Sequence, residues 1–216
     1  MKRGLAVVLA TRNAGKIREF DRLFAGAFAV LPLPQGVELP PETGETFTAN
    51  ARLKAEAVFD ALGGTCAVLA DDSGLEVNAL GGRPGIYSAR FAGEDASDAD
   101  KVAKLLGELS AEPDRGARFV CALCLVLPCY ASANGDPDEV PQTRGGRRVV
   151  EVQGITGGCI TQSPRGADGF GYDPVFLPDG WELTLAEASP EDKDGVSHRG
   201  AAARALLARL EQEGDE

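Results

Sequence analysis

Residues 66–74 read Cys-Ala-Val-Leu-Ala-Asp-Asp-Ser-Gly, an apolar run ending in two carboxylates, a hydroxyl and a glycine. Acids at a strand end suit a hard cation such as Mg²⁺ that bridges substrate phosphates, and one of them could orient or deprotonate a water. Side chains alternate along a strand, so Asp71 and Asp72 point to opposite faces and need not share a role. Asp-Ser-Gly is equally the chemistry of a polar turn.

Three other stretches carry comparable chemistry. Thr11-Arg12-Asn13-Ala14-Gly15-Lys16 lies between a strand and a helix. Free N–H groups and the positive end of the helix dipole favour phosphate there, although the glycine-lysine pattern of a Walker loop is absent. Gly169-Phe170-Gly171-Tyr172-Asp173 holds two aromatics between glycines, offering faces for a stacked base or making a tight turn. Lys193 and Ser197-His198-Arg199-Gly200 place donors around a helix start. His198 is the sole histidine, which excludes a multi-histidine metal site. Cys121-x-x-Cys124 has no second ligand pair for zinc, and on a strand its two thiols face opposite ways.

The elements that must position these groups follow from periodicity. Residues 5–10, 28–33, 66–74, 117–128 and 147–161 read as strands. Helices are predicted after Asn13, from Thr46 to Gly63-Gly64, from a Ser97/Asp100 capping box, and after Ser197. The last of these presents Ala201, Ala205, Leu206 and Leu210 as its apolar face. Residues 74–95 read as a glycine-rich loop with hints of short strands, 131–146 as a solvated hairpin loop, and 211–216 as a frayed tail behind one two-lobed domain, 1–210. The class is α/β: a long mixed central sheet with two α/β lobes flanking a cleft.

Composition narrows the partners. The chain of 216 residues has a formal net charge of −11, so it repels nucleic-acid polymers while a small phosphorylated ligand remains compatible with a local basic cluster. No apolar run is long enough to cross a membrane. The five cysteines, an odd number without a signal sequence, point to reduced thiols in the cytoplasm.

Taken in order, strand-TxNxxK, ADDSG, GFGYD and SHRG, together with ETGETF, NARLKA and LGGRPGIYSARFAG, closely resemble the Ham1/RdgB-type inosine triphosphate pyrophosphatase family. The resemblance covers roughly residues 5–208. It implies a cytoplasmic, homodimeric, Mg²⁺-dependent hydrolase that converts ITP, dITP and XTP to monophosphate and pyrophosphate. Carried over by position, Thr11 through Lys16 bind triphosphate, Asp72 is metal ligand and proton acceptor, and Ser73 contacts substrate. Phe170, Gly171, Tyr172 and Asp173 bind the base, with Lys193, His198 and Arg199 completing the substrate contacts. Pro41 and Ala49 stand where relatives often carry acids, which leaves Glu42 and Asp71 as candidate replacements.

Overall fold

The structure, a computed structural model, describes residues 5–130 and 143–212. Strands β1 (Leu5–Leu9), β2 (Phe28–Pro32), β3 (Ala67–Val77), β4 (Gly116–Tyr130), β5 (Thr143–Ile160) and β6 (Phe176–Pro178) form a mixed sheet in the order β2-β1-β3-β4-β5-β6. β1 is parallel to β2 and β3, and the remaining pairs are antiparallel. The helices are α1 (Ala14–Leu23), α2 (Phe47–Ala61), α3 (Asp98–Glu108), α4 (Pro190–Val196) and α5 (His198–Gln212).

Three cores explain the two lobes. On one sheet face α1 and α5 bring Phe20, Phe24, Ala203 and Leu206 onto Leu9, Leu69 and Leu123. On the other face α2 lays Ala51, Ala55 and Val58 over Val8, Val68 and Ala122. Farther along the first face, Val102 and Leu105 of α3 pack with Leu75, Val77, Phe119 and Phe176. Read along that face, β3 runs Ala67, Leu69, Asp71, Ser73, Leu75, Val77: apolar, then polar, then apolar again. The polar interval is the cleft, and the long strands β4 and β5 tie the lobes beneath it.

Four expectations are corrected. First, Asp71-Asp72 do not end a strand. β3 continues to Val77, paired throughout with β4, so the acids sit mid-strand opposite Leu123 and Ala122. Gly74 serves close approach rather than a turn, because a Cβ there would strike the Gly85 carbonyl and the Ser88 hydroxyl. Second, the hints of short strands in 74–95 are Leu75–Val77, which belong to β3 rather than to a separate loop, followed by 3-10 turns at Asn78–Leu80 and Gly85–Arg90.

Third, the α5 face keeps the predicted Leu206 and Leu210 but is completed by buried Ala202 and Ala203, with Ala201 and Ala205 only half-buried. Gly154 of β5 lets the α5 backbone at His198 and Ala202 rest directly on the strand, which turns that stripe inward. Fourth, Thr143–Gly146 extend β5 and Glu211-Gln212 extend α5. Residues 131–142 and 213–216, the rest of the predicted loop and tail, lie outside the described residues.

The predicted Asn13 cap and Ser97/Asp100 capping box are present, and Thr46 is a further cap beyond those predicted. Asn13 accepts from the Lys16 N–H at 3.1 Å and Thr46 from the Ala49 N–H at 3.1 Å. Ser97 and Asp100 close a reciprocal capping box. Cys121 and Cys124 fall into the cores on opposite faces of the sheet, as their spacing requires. Burial pushes both thiols up, Cys124 to about 12, so neither is a thiolate near neutrality.

Candidate active site

The two adjacent acids meet different helices. Asp71 points toward α1, where Lys16 Nζ lies 2.7 Å from its Oδ2, and the Ser73 hydroxyl donates to the same oxygen at 3.0 Å. Burial alone would raise this carboxyl, but Lys16, Lys54 and Arg199 outweigh it and hold it at about 2. Asp72 points toward α2, with Lys54 Nζ 3.5 Å from its Oδ1 and its buried Oδ2 without a partner. Burial dominates here, and the nearby Glu42 charge adds to it against Lys54, so Asp72 is raised to about 6. One acid is therefore a fixed anion, and its neighbour titrates near neutrality.

Glu42 completes the Asp72 side. Its Oε1 receives Lys54 at 2.7 Å and its Oε2 receives Arg90 at 3.4 Å. Burial opposes ionisation of Glu42, yet Lys54, Lys16 and Arg90 together hold its pKa below the ordinary value. Two carboxylates with one unpartnered buried oxygen fit a small divalent cation. Mg²⁺ characteristically uses one or two protein carboxylates and takes its other ligands from water and substrate phosphates. Among the described residues no larger cluster of potential metal ligands exists, and such a cage is not needed for this coordination.

Across β3 lies a cavity of about 110 Å³ bounded by Lys16, Ser73, Phe170, His198 and Arg199. Behind Asp173 and Arg199 of its lining lies a buried charge network. Glu19 of α1 binds Lys193 Nζ at 2.6 Å and Arg199 Nη1 at 3.1 Å, while Lys193 also reaches Asp173 at 2.7 Å. Burial would raise Glu19, but Arg199 and Lys193 pull it below its usual range. Arg199 Nη2 donates to Ser73 at 3.0 Å, and its Nε is buried without a partner. Both ring nitrogens of His198 are likewise unpartnered, with the imidazole stacked on Phe119. Burial and the neighbouring cations push His198 well below its ordinary value, so it is neutral, with one donor and one acceptor to offer.

The glycine-framed loop is less symmetrical than its sequence implies. Tyr172 is buried in the third core, lines the cavity and donates its hydroxyl to the Ser88 carbonyl at 3.0 Å. Phe170 alone is part-exposed at the cavity. Asp173 accepts the Phe170 N–H at 2.8 Å, and Gly171 is tied through its N–H to Asp98 at 2.7 Å.

In the first loop, Asn13, Gly15 and Lys16 face the site, and Thr11 supports Asn13 by accepting its N–H at 3.2 Å. Ala14 opens the helix. Arg12 turns away, donating to the carbonyls of Leu33, Pro34 and Val37, so the structure gives it a bracing contact with the strand-β2 loop.

Glu19 and Lys54 were missed in the sequence, although each left a signal. Glu19 lies three residues after Lys16 and so shares its helix face. Lys54 occupies the i+3 place of the apolar stripe Ala51, Ala55, Val58, where a lysine needs a buried counter-charge.

Comparison with known proteins gives the chain's family. The model of the Ham1 family matches residues 7–209. A dITP/XTP pyrophosphatase of Geobacillus kaustophilus is 45% identical, covering 97% of this chain and 94% of that protein. One from Deinococcus radiodurans is also 45% identical, over 94% of this chain and 91% of that one. Among solved structures, a HAM1 protein from Coxiella burnetii superposes with a TM-score of 0.78 at 35% identity, covering 96% of this chain and 99% of its own. The Staphylococcus aureus Ham1 protein gives 0.76 at 39% identity, with the same coverage. A chain matched over nearly its whole length, by sequence and by fold, belongs to the Ham1 family.

Proposed function

We propose that this protein hydrolyses non-canonical purine nucleoside triphosphates, ITP, dITP and XTP, to the monophosphate and pyrophosphate. The observation that carries the reading is Asp72: a buried carboxylate raised to about 6, with a free oxygen, one strand face away from a cavity rich in donors. The printed activity of the curated relatives supports it.

Asp72 and Glu42 would hold Mg²⁺, which when bound supplies charge neutralisation across triphosphate oxygens. In this proposal Asp72 orients and deprotonates the water that attacks the α-phosphorus. Lys16 and the N–H groups opening α1 stabilise the departing pyrophosphate. Arg199 and neutral His198 meet the base, and Lys193, whose contacts go to Glu19 and Asp173, holds the pocket in shape. Hypoxanthine and xanthine present a 6-keto acceptor to these donors. Adenine presents an amino group, which would leave the free Nε donor of Arg199 unpaired. A homodimer in the cytoplasm fits the family resemblance.

A panel of nucleotides with Mg²⁺, scored for pyrophosphate against orthophosphate, tests the reading. Pyrophosphate from ITP and XTP, with little from ATP, is expected. Orthophosphate would mean γ-phosphate cleavage and refute it. Arg199→Ala is expected to narrow the ITP-to-ATP ratio of kcat/KM by about tenfold, the scale of one unsatisfied buried donor. An unchanged ratio would remove Arg199 from base reading.

The pH profile follows from Asp72. If its ionised form is the active one, kcat/KM falls on the acid side of about pH 6, roughly tenfold per pH unit. Asp71, held at about 2, adds nothing over that range. Saturating cation moves the limb to lower pH, because it favours the carboxylate. Steady-state kinetics at low and high Mg²⁺ would check both statements.

A further inference from the structure

Gly15 is buried in the first turn of α1, yet its backbone is not among the left-handed glycines, so no turn or positive φ calls for glycine there. Helix propensity disfavours it relative to alanine. What excludes a side chain is space. A Cβ on Gly15 would stand 2.5 Å from Cδ1 and 2.7 Å from Cε1 of Phe170, nearer than the 3.0 Å to Oδ1 of Asn13, which has to give by only a few tenths of an ångström. The same ring has the Arg199 guanidinium 4.7 Å and the Lys193 ammonium 5.3 Å from its centroid. Its backbone is fixed by left-handed Gly169 and Gly171 and by the Asp173 and Asp98 hydrogen bonds.

Phe170 is also a wall between two spaces. One is the cavity of about 110 Å³ beside Ser73 and Arg199; the other, about 350 Å³, lies beside Arg18, Glu19 and Lys193. Since both spaces are open, only its contacts keep the ring between them.

We propose that Gly15 is a positioning residue for base recognition: its missing side chain is the seat that fixes the Phe170 ring. The inference rests on the nucleotide-hydrolase reading and deepens it. The helix that opens the triphosphate loop would then also set the aromatic face presented to the purine, so phosphate and base are gauged from one point. A methyl group on Gly15 would drive the ring into the smaller cavity and block it, or into the larger one and remove the stacking face. Either displacement costs base affinity and leaves the phosphate contacts in place.

The test is a cycle of wild type, Gly15→Ala, Phe170→Ala and the double variant, read by calorimetric binding of IMP and of inorganic pyrophosphate. Gly15→Ala is expected to weaken IMP by about tenfold, the scale of one base–aromatic contact, and pyrophosphate by less than about twofold. In the Phe170→Ala background it should change IMP affinity by less than about twofold, because no ring remains to be displaced. Equal losses for IMP and pyrophosphate, losses that multiply in the double variant, or no loss for IMP would each overturn the proposal. If Gly15→Ala does not fold, the double variant must, and its failure to do so overturns the proposal as well. A wild type that binds IMP but releases no pyrophosphate from ITP or XTP refutes the hydrolase reading alone; one without IMP affinity refutes base recognition by this pocket.

Discussion

Asp72→Asn is expected to lower pyrophosphate release from ITP by at least about 10³-fold, the span associated with removing a general base, while the protein stays folded. The two effects separate because this carboxylate is a burden on the fold. Its pKa is raised from 3.8 to about 6, so the native state holds a proton that the unfolded chain has already released between those values. Stability from this group is greatest below about pH 4 and is lost as pH rises through about 6, by up to about 3 kcal/mol. Asparagine carries no such loss, and Lys54 keeps its 2.7 Å partner Glu42. At pH 8 the variant should therefore be at least as stable as wild type by urea denaturation, and below pH 4 the two should coincide. Loss of activity accompanied by a lower midpoint at pH 8 would show that Asp72 is structural.

Glu19→Gln is expected to act in the opposite sense, costing about 3–5 kcal/mol of stability at neutral pH, the price of leaving buried cations without their counter-charge. Arg199 loses its ion-pair partner and, among the described residues, keeps Ser73 as its hydrogen-bonded neighbour, while Lys193 loses one of two carboxylates and keeps Asp173. The pH sign follows from the lowered pKa of Glu19. Its contribution is fully present above the ordinary value near 4.5 and disappears as pH falls through the native one. Denaturation curves of wild type and variant should thus converge in acid and separate toward neutrality. A second signature is kinetic: with Arg199 unanchored, selectivity for ITP over ATP should erode further than kcat does. A variant as stable as wild type at pH 7 would show that water replaces the carboxylate.

Much of the scaffold was legible because it depends on local patterns. The strand at 5–9, the Asn13 cap and the Ser97 capping box are statements about neighbouring residues. The site was legible as an ordered set of motifs. The assignments that failed needed partners distant in sequence. Whether Asp-Asp-Ser-Gly turns or extends is decided by the β4 ladder beyond it. How deeply Tyr172 is set beside the cavity is likewise decided at a distance, by the Ser88 carbonyl 84 residues away. Glu19 was hidden for the same reason, since its partners lie 174 and 180 residues downstream. Charge type and spacing select candidates, whereas long-range pairing assigns their roles.

The continuity of β3 has a consequence for which length changes this gene can tolerate. Substitutions act on one face at a time: a change at Asp72 touches the α2 side, and one at Asp71 or Ser73 touches the α1 side. A one-residue insertion or deletion between Ala67 and Asp71 would instead shift the alternation and exchange the faces. The anion paired with Lys16 and the acid beside Glu42 would trade places, and the adjoining cores would receive the wrong side chains together. That stretch should therefore tolerate changes of letter far better than changes of count. A deletion scan along β3, scored for folding and turnover, should show both failing at the same positions.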